Sequence, residues 1–196
     1  MKWLFAVAVA LLPMAAPGRP PDQPRSSLSR EPYYWHDGER QRQVWLAPRL
    51  VAEFQPDRGP SRPAGSVPAS TRSAHVRIWR LHSPREPDQL AGALPSGVDP
   101  GQVSPVFRET PGGEGGLMAL PGGVIVRLPP NWDHDRALNW ARSQGVPLGG
   151  VVAGLPGTYR IPTDPGLVAL RKAKALRKDP DVRAAFPDWW RQATRR

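Results

Sequence analysis

Proline occupies 26 of the 196 positions and glycine another 19, and their distribution limits what this chain can fold into more than any other feature. Each proline removes a backbone donor and is barred from a helix interior or a central strand. Each glycine adds chain entropy that ordering has to overcome. Cysteine is absent, which excludes a disulfide framework. Structure must therefore come from apolar burial, in the segments where proline thins out and hydrophobic residues recur with a regular period.

At the N-terminus, Lys2 precedes an apolar run from Trp3 to Leu12, followed by small residues. The run is too short to span a bilayer and has the form of a secretory signal covering residues 1–18; cutting after Gly18 places Ala16 and Gly18 at the small-residue positions, whereas cutting after Ala16 leaves Pro17 beside the scissile bond. An exported protein, periplasmic or extracellular and with no membrane attachment after signal removal, is the expectation. Residues 19–30 form a polar, proline-containing leader with too little apolar content to order. The formal net charge is +10. Its arginines are scattered rather than gathered in a basic stripe interleaved with aromatics, so no nucleic-acid partner is expected.

Residues 31–109 read as a β-rich region. Tyr33-Tyr34-Trp35 suits a strand, Asp37-Gly38 is a turn signal, and Gln43–Leu46 resumes as a second strand, with Leu50–Phe54 as a third. Residues 55–73, rich in Pro, Ser and Arg, read as a long loop. His75–Leu81 alternates as a strand should, and Val103–Glu109 is a further short one. Residues 110–121 read as a Gly-rich linker; Gly112–Gly116 lacks both the Lys-Ser/Thr of a phosphate loop and the helix that follows a dinucleotide fingerprint.

From residue 122 to 190 the periodicity tightens. Val124–Leu128 is a strand. Pro130-Asn131 opens a helix with Asp133 and Asp135 in its first turn and Ala137, Leu138 and Ala141 along its apolar edge. Val151-Val152 is a second strand and Tyr159–Ile161 a third. Asp164 and Pro165 are placed to start a second helix, whose buried stripe is Ala169, Ala173 and Leu176 with Leu170 at its edge. Val182–Phe186 is the fourth strand. That order, β-α-β-β-α-β, predicts an α+β, ferredoxin-like domain behind the β-rich region.

The run Asp179-Pro180-Asp181-Val182-Arg183-Ala184-Ala185-Phe186-Pro187-Asp188 resembles the end of the propeptide of subtilisin-type (S8) peptidases, the inhibitor-I9-like domain. Val124–Leu128, Pro156-Gly157-Thr158-Tyr159 and Leu176 before the Asp179-Pro180 stop add to the resemblance. Tyr33-Tyr34-Trp35, Leu50–Phe54 and Val106-Phe107 are similar, more loosely, to the leader of some large bacterial subtilases. In that family the propeptide sheet docks on two surface helices of the protease, and the segment after the last strand lies extended in the active-site cleft. The resemblance implies a cleft-binding tail of Asp188, Trp189, Trp190, Arg191, Gln192, Ala193, Thr194, Arg195 and Arg196, with 191–196 as its free end. One tryptophan of Trp189-Trp190 would then serve the core and the other the partner. The partner implied is a subtilisin-type serine protease bound in trans, inhibited or assisted in folding, as by stand-alone chaperones of kexin-like bacterial proteases.

No catalytic activity is expected. The subtilase signatures around the catalytic Asp, His and Ser are missing, and His36, His75, His82 and His134 stand near no nucleophile motif. Asp133-His134-Asp135 places consecutive side chains in different directions on a helix, which suits helix initiation better than a metal site; no cofactor is implied. An orphan propeptide remnant and a non-catalytic surface interaction module remain alternative readings of the same residues.

Overall fold

Ten strands and two α-helices form among the residues described by the computed structural model, which are 31–54, 67–69, 76–90, 94, 98–111 and 115–193. The signal and leader segments and most of the 55–73 loop lie outside the described residues.

The Asp37-Gly38 signal makes the hairpin expected of it. Strand β1 (Tyr33–Asp37) turns through Gly38, at φ 60°, and Glu39 into β2 (Arg40–Phe54), with Asp37 opposite Arg40. β2 is one strand of 15 residues where the sequence suggests two. The separation is real in the ladder, however: Leu46 faces Phe107 and Val51 faces Pro105, so the register shifts between them. Pro48 lies within that interval and has no N–H to give the ladder, which is a physical reason for the bulge there.

The following strands are β3 (Val67–Ala69), β4 (Val76–Arg80), β5 (Val103–Arg108) and β6 (Leu117–Ala119). Then come β7 (Val124–Arg127), helix α1 (His134–Ser143), β8 (Thr158–Ile161), helix α2 (Leu167–Leu176), β9 (Ala184–Pro187) and β10 (Trp190–Arg191). Seven strands form one antiparallel sheet in the order β10-β6-β5-β2-β4-β3, with β1 also paired to β2; the second sheet is β8-β7-β9.

This architecture overturns the predicted ferredoxin-like α+β fold. The chain is mostly β, and the β-α-β-β-α-β series is not completed. Val151 makes a single bridge to Tyr159 instead of opening a strand, and 58% of its surface is exposed. A two-residue apolar segment followed by Gly154, Pro156 and Gly157 has neither the length nor the burial to sustain a ladder. Two other strands fall in segments read as connections: β3 in the long loop and β6 in the Gly-rich linker.

The helices differ from expectation in detail. Asp133 is the N-cap of α1, accepting the Arg136 N–H at 2.8 Å, and the helix buries Ala137, Trp140 and Ala141. Asp164 does not cap α2, which starts after Gly166 at φ 90° with no side-chain cap. The stripe of α2 is the one read from sequence: Ala169, Leu170, Ala173 and Leu176.

Alternation along β5 and β6 divides the interior. Phe107 and Met118 join Trp35, Val44 and Leu120 in a core that also contains Val124, Val126, Tyr159, Ile161 and both helix stripes. Val106, Leu117 and Ala119 point the other way, toward Leu50, Ala52, Phe54, Val76 and Ile78. The two sheets thus share one core. Glu53 is buried but satisfied, accepting the Trp79 indole N–H at 2.9 Å and lying 3.6 Å from Arg77.

Phe107 is fully buried where the sheets meet. Phe107→Ala should cost about 3–5 kcal/mol in urea unfolding, with the two sheets still lost in one transition. A separate effect sits at the hairpin. Partial burial, then the cation Arg177, holds the His36 pKa below its ordinary 6.5, with Glu39 opposing and Lys174 adding. The unfolded chain then binds the proton more tightly, so the His36 contribution is complete above about pH 6.5 and is lost on acidification. His36→Gln should flatten the dependence of the melting temperature on pH between about 5 and 7.

Candidate functional site

The segment following β9 was the cleft-binding tail of the sequence reading, and its surroundings are well defined. Pro187 is buried at the end of β9. The Asp188 N–H then donates to the Gly123 carbonyl at 3.0 Å, and the Asp188 carboxylate pairs with Arg160 at 2.9 Å. Arg160 also donates to the Gly122 carbonyl at 3.1 Å. Gly122 has φ 96°, and a Cβ there would collide with the Thr163 carbonyl, so only glycine fits at this crossing of the chain. These contacts fix the direction in which the tail leaves the smaller sheet.

Trp189 turns into the shared core. Its ring lies 5.6 Å from that of Trp35 and 5.6 Å from that of Phe107, the latter edge-on at 86°. Trp190, one residue later, packs on the opposite side of the sheet against the cluster of Leu50, Phe54 and Ile78. Both tryptophans are therefore half-buried against the chain's own interior, on opposite faces, as strand alternation requires.

Strand β10 is added antiparallel to the edge of β6, with Trp190 opposite Ala119 and Arg191 opposite Met118; the Gln192 N–H donates to the Leu117 carbonyl at 2.8 Å. The Arg191 guanidinium pairs with Glu109 at 2.8 Å and lies 5.8 Å from the centre of the Trp35 ring. Ala193 is exposed; Thr194, Arg195 and Arg196 lie outside the described residues. Beside the tail, Tyr34, Trp35, Trp45, Arg42, Glu109 and Arg191 border a cleft of about 730 Å³. It carries both signs of charge, since Asp37 lies 3.6 Å from Arg42 and Glu109 holds Arg191.

The second surface of interest is on the smaller sheet. Val124, Val126, Tyr159, Ile161 and Ala185 face the core with both helix stripes. Ile125, Arg127 and Phe186 alternate with these; Ile125 and Phe186 are opposite one another in the ladder, each half-buried, with Phe186 still packed against the shared core, and Arg127 is exposed. Ile125 and Arg127, with the exposed part of Phe186, make up the face left uncovered by the helices.

Sequence reasoning named the tail but missed what holds it: Trp35, Phe107, Glu109 and the β6 edge. The alternation of Val103–Glu109 was the available signal, since it placed Phe107 and Glu109 on one side of a strand. Of the histidines, His36 lies in β1, His82 follows β4 and His134 begins α1; His75 is outside the described residues. Among the described residues no group of three or more His, Asp or Glu side chains is disposed to hold a metal ion, and no helix is long and apolar enough to cross a membrane. No family model, curated protein or solved structure matches the chain.

The relative weights of the tail contacts can be measured. Trp189→Ala removes a ring from the shared core and should cost about 3 kcal/mol or more, with loss of hydrogen-exchange protection at Trp190 and Gln192. Asp188→Asn breaks a half-exposed pair and should cost under about 1 kcal/mol.

Proposed function

We propose that this chain is an exported, non-catalytic, propeptide-like protein that binds a subtilisin-type serine protease in trans and inhibits it, assists its folding, or both. The observation that carries the reading is the one-sided covering of the β8-β7-β9 sheet. Both helix stripes pack on one face, and the other presents Ile125 and Arg127, with Phe186 beside Ile125 partly exposed and partly packed against the core. In the family whose motifs the sequence resembles, that sheet face is the one that docks on the protease. A partner covering it would bury apolar surface and leave the arginine at the rim.

Folding assistance follows from linkage: a protein that binds the folded protease and not the unfolded chain shifts the folding equilibrium. Inhibition is assigned to the tail, and here the fold adds a condition. β6 already occupies one edge of β10, and Trp189 is packed in the core. A cleft that grips residues 188–193 along both edges therefore requires release of β10, whereas docking through the sheet face does not.

Binding and inhibition of a secreted subtilase from the same source test this reading. Phe186→Asp should weaken the complex about a hundredfold. Arg127→Glu, a change at an exposed position, should weaken it about tenfold without altering stability, which separates loss of docking from loss of fold. Deleting residues 191–196 should reduce inhibition more than folding assistance. A complex that forms at full affinity with both point variants would sink the reading.

A further inference from the structure

We propose that the cavity at the β2 bulge is a binding site for an oxyanion, carboxylate or phosphate, carried on a flat apolar group. The cavity has a volume of about 390 Å³, typical of small-ligand sites; no residue of the tail or of the smaller sheet lines it, and Trp45 separates it from the cleft beside the tail by bordering both. The proposal goes beyond the protease reading and does not depend on it.

Three arginines far apart in sequence line this one cavity: Arg49 from β2, Arg80 from β4 and Arg108 from β5. Strand register brings them together, because Leu50 is opposite Arg80 and Trp45 is opposite Arg108. The register shift around Pro48 opens the ladder between β2 and β5 and makes room there. Trp45, Pro48 and Leu50 supply an apolar wall.

Among the described residues no carboxylate lines the cavity. Two acidic residues on the same strands or beside them are engaged elsewhere: Glu53 with Trp79 and Arg77, and Glu109 with Arg191. Three arginines bordering one space make it electropositive, which favours an entering anion. Two of them are already held in place. Arg108 donates one nitrogen to the Gly115 carbonyl at 3.0 Å, and Arg49 donates one to the His82 carbonyl at 3.3 Å. Each retains N–H groups for the planar, two-pronged contact that guanidinium makes with carboxylate or phosphate. The Trp45 indole beside them selects for a ligand that also has a flat apolar part.

The experiment titrates the full mature chain with four probes: N-acetylphenylalanine, phenyl phosphate, N-acetylphenylalaninamide and inorganic phosphate. It reads the Trp45 indole resonance and the thermal midpoint. At least one of the first two should bind saturably and raise the midpoint, and which of them does so identifies the anion source. Arg80→Gln should weaken that binding about tenfold or more. Arg49→Gln should weaken it likewise. Binding of the neutral amide as tight as that of the acid, unchanged binding in Arg80→Gln, or no saturable binding of either ligand would overturn the proposal. Inorganic phosphate binding as tightly as phenyl phosphate would overturn its apolar half.

Discussion

The contact among Trp35, Phe107 and Trp189 is what the rest of this structure depends on. Each ring comes from a different part of the chain: the first strand, the middle of the large sheet and the C-terminal tail. Edge and tilted contacts of this kind contribute about 0.5–1.5 kcal/mol beyond the area they bury. They also carry a cost, because among the described residues the indole nitrogens of Trp35 and Trp189 are buried without a hydrogen-bond partner. An unmade hydrogen bond costs about 1–3 kcal/mol, so the ring burial has to exceed it. A three-stranded sheet with two short helices is a small core, and it gains stability by sharing an interior with the larger sheet.

That sharing alters how the tail is to be understood. In the family resembled, the segment after the last propeptide strand belongs to the protease cleft. In this chain Trp190 and Arg191 are a strand of the chain's own sheet, and β6, from the segment read as a linker, is the edge that receives them. The two uses draw on the same backbone groups, so binding in a cleft and completion of the sheet compete. The face formed by Ile125, Arg127 and Phe186 is free of that competition, which is why the docking half of the proposed function rests on it.

Elements with their own local signal were legible. Asp37-Gly38 made its hairpin, Val76–Arg80 its alternating strand, and Ala169, Leu170, Ala173 and Leu176 their helical stripe. Elements without one were not. β3 and β6 are three residues each, too short for alternation to register, and β6 lies between Gly116 and Pro121, which read as breakers. The opposite error came from Val151-Val152, where β-branched residues suggested a strand that the surrounding glycines and exposure do not support. That one segment carried the predicted fold class, because without it the six-element series is incomplete. At the candidate site the outward face of β7 and β9 followed from their alternation, but the partners of the tail did not.

By itself the sequence determined that no disulfide could staple the chain, where its turns would fall, and which faces of its helices and longer strands would be buried. These are consequences of residue chemistry and period acting over a few neighbouring positions. Only the tertiary structure decided that Trp190 and Arg191 would pair with β6, and that Arg49, Arg80 and Arg108 would line one cavity. Both depend on which distant strands lie side by side, and that choice is made by the whole core: a strand edge accepts many partners, and burial of Phe107, Trp35 and Trp189 together selects among them.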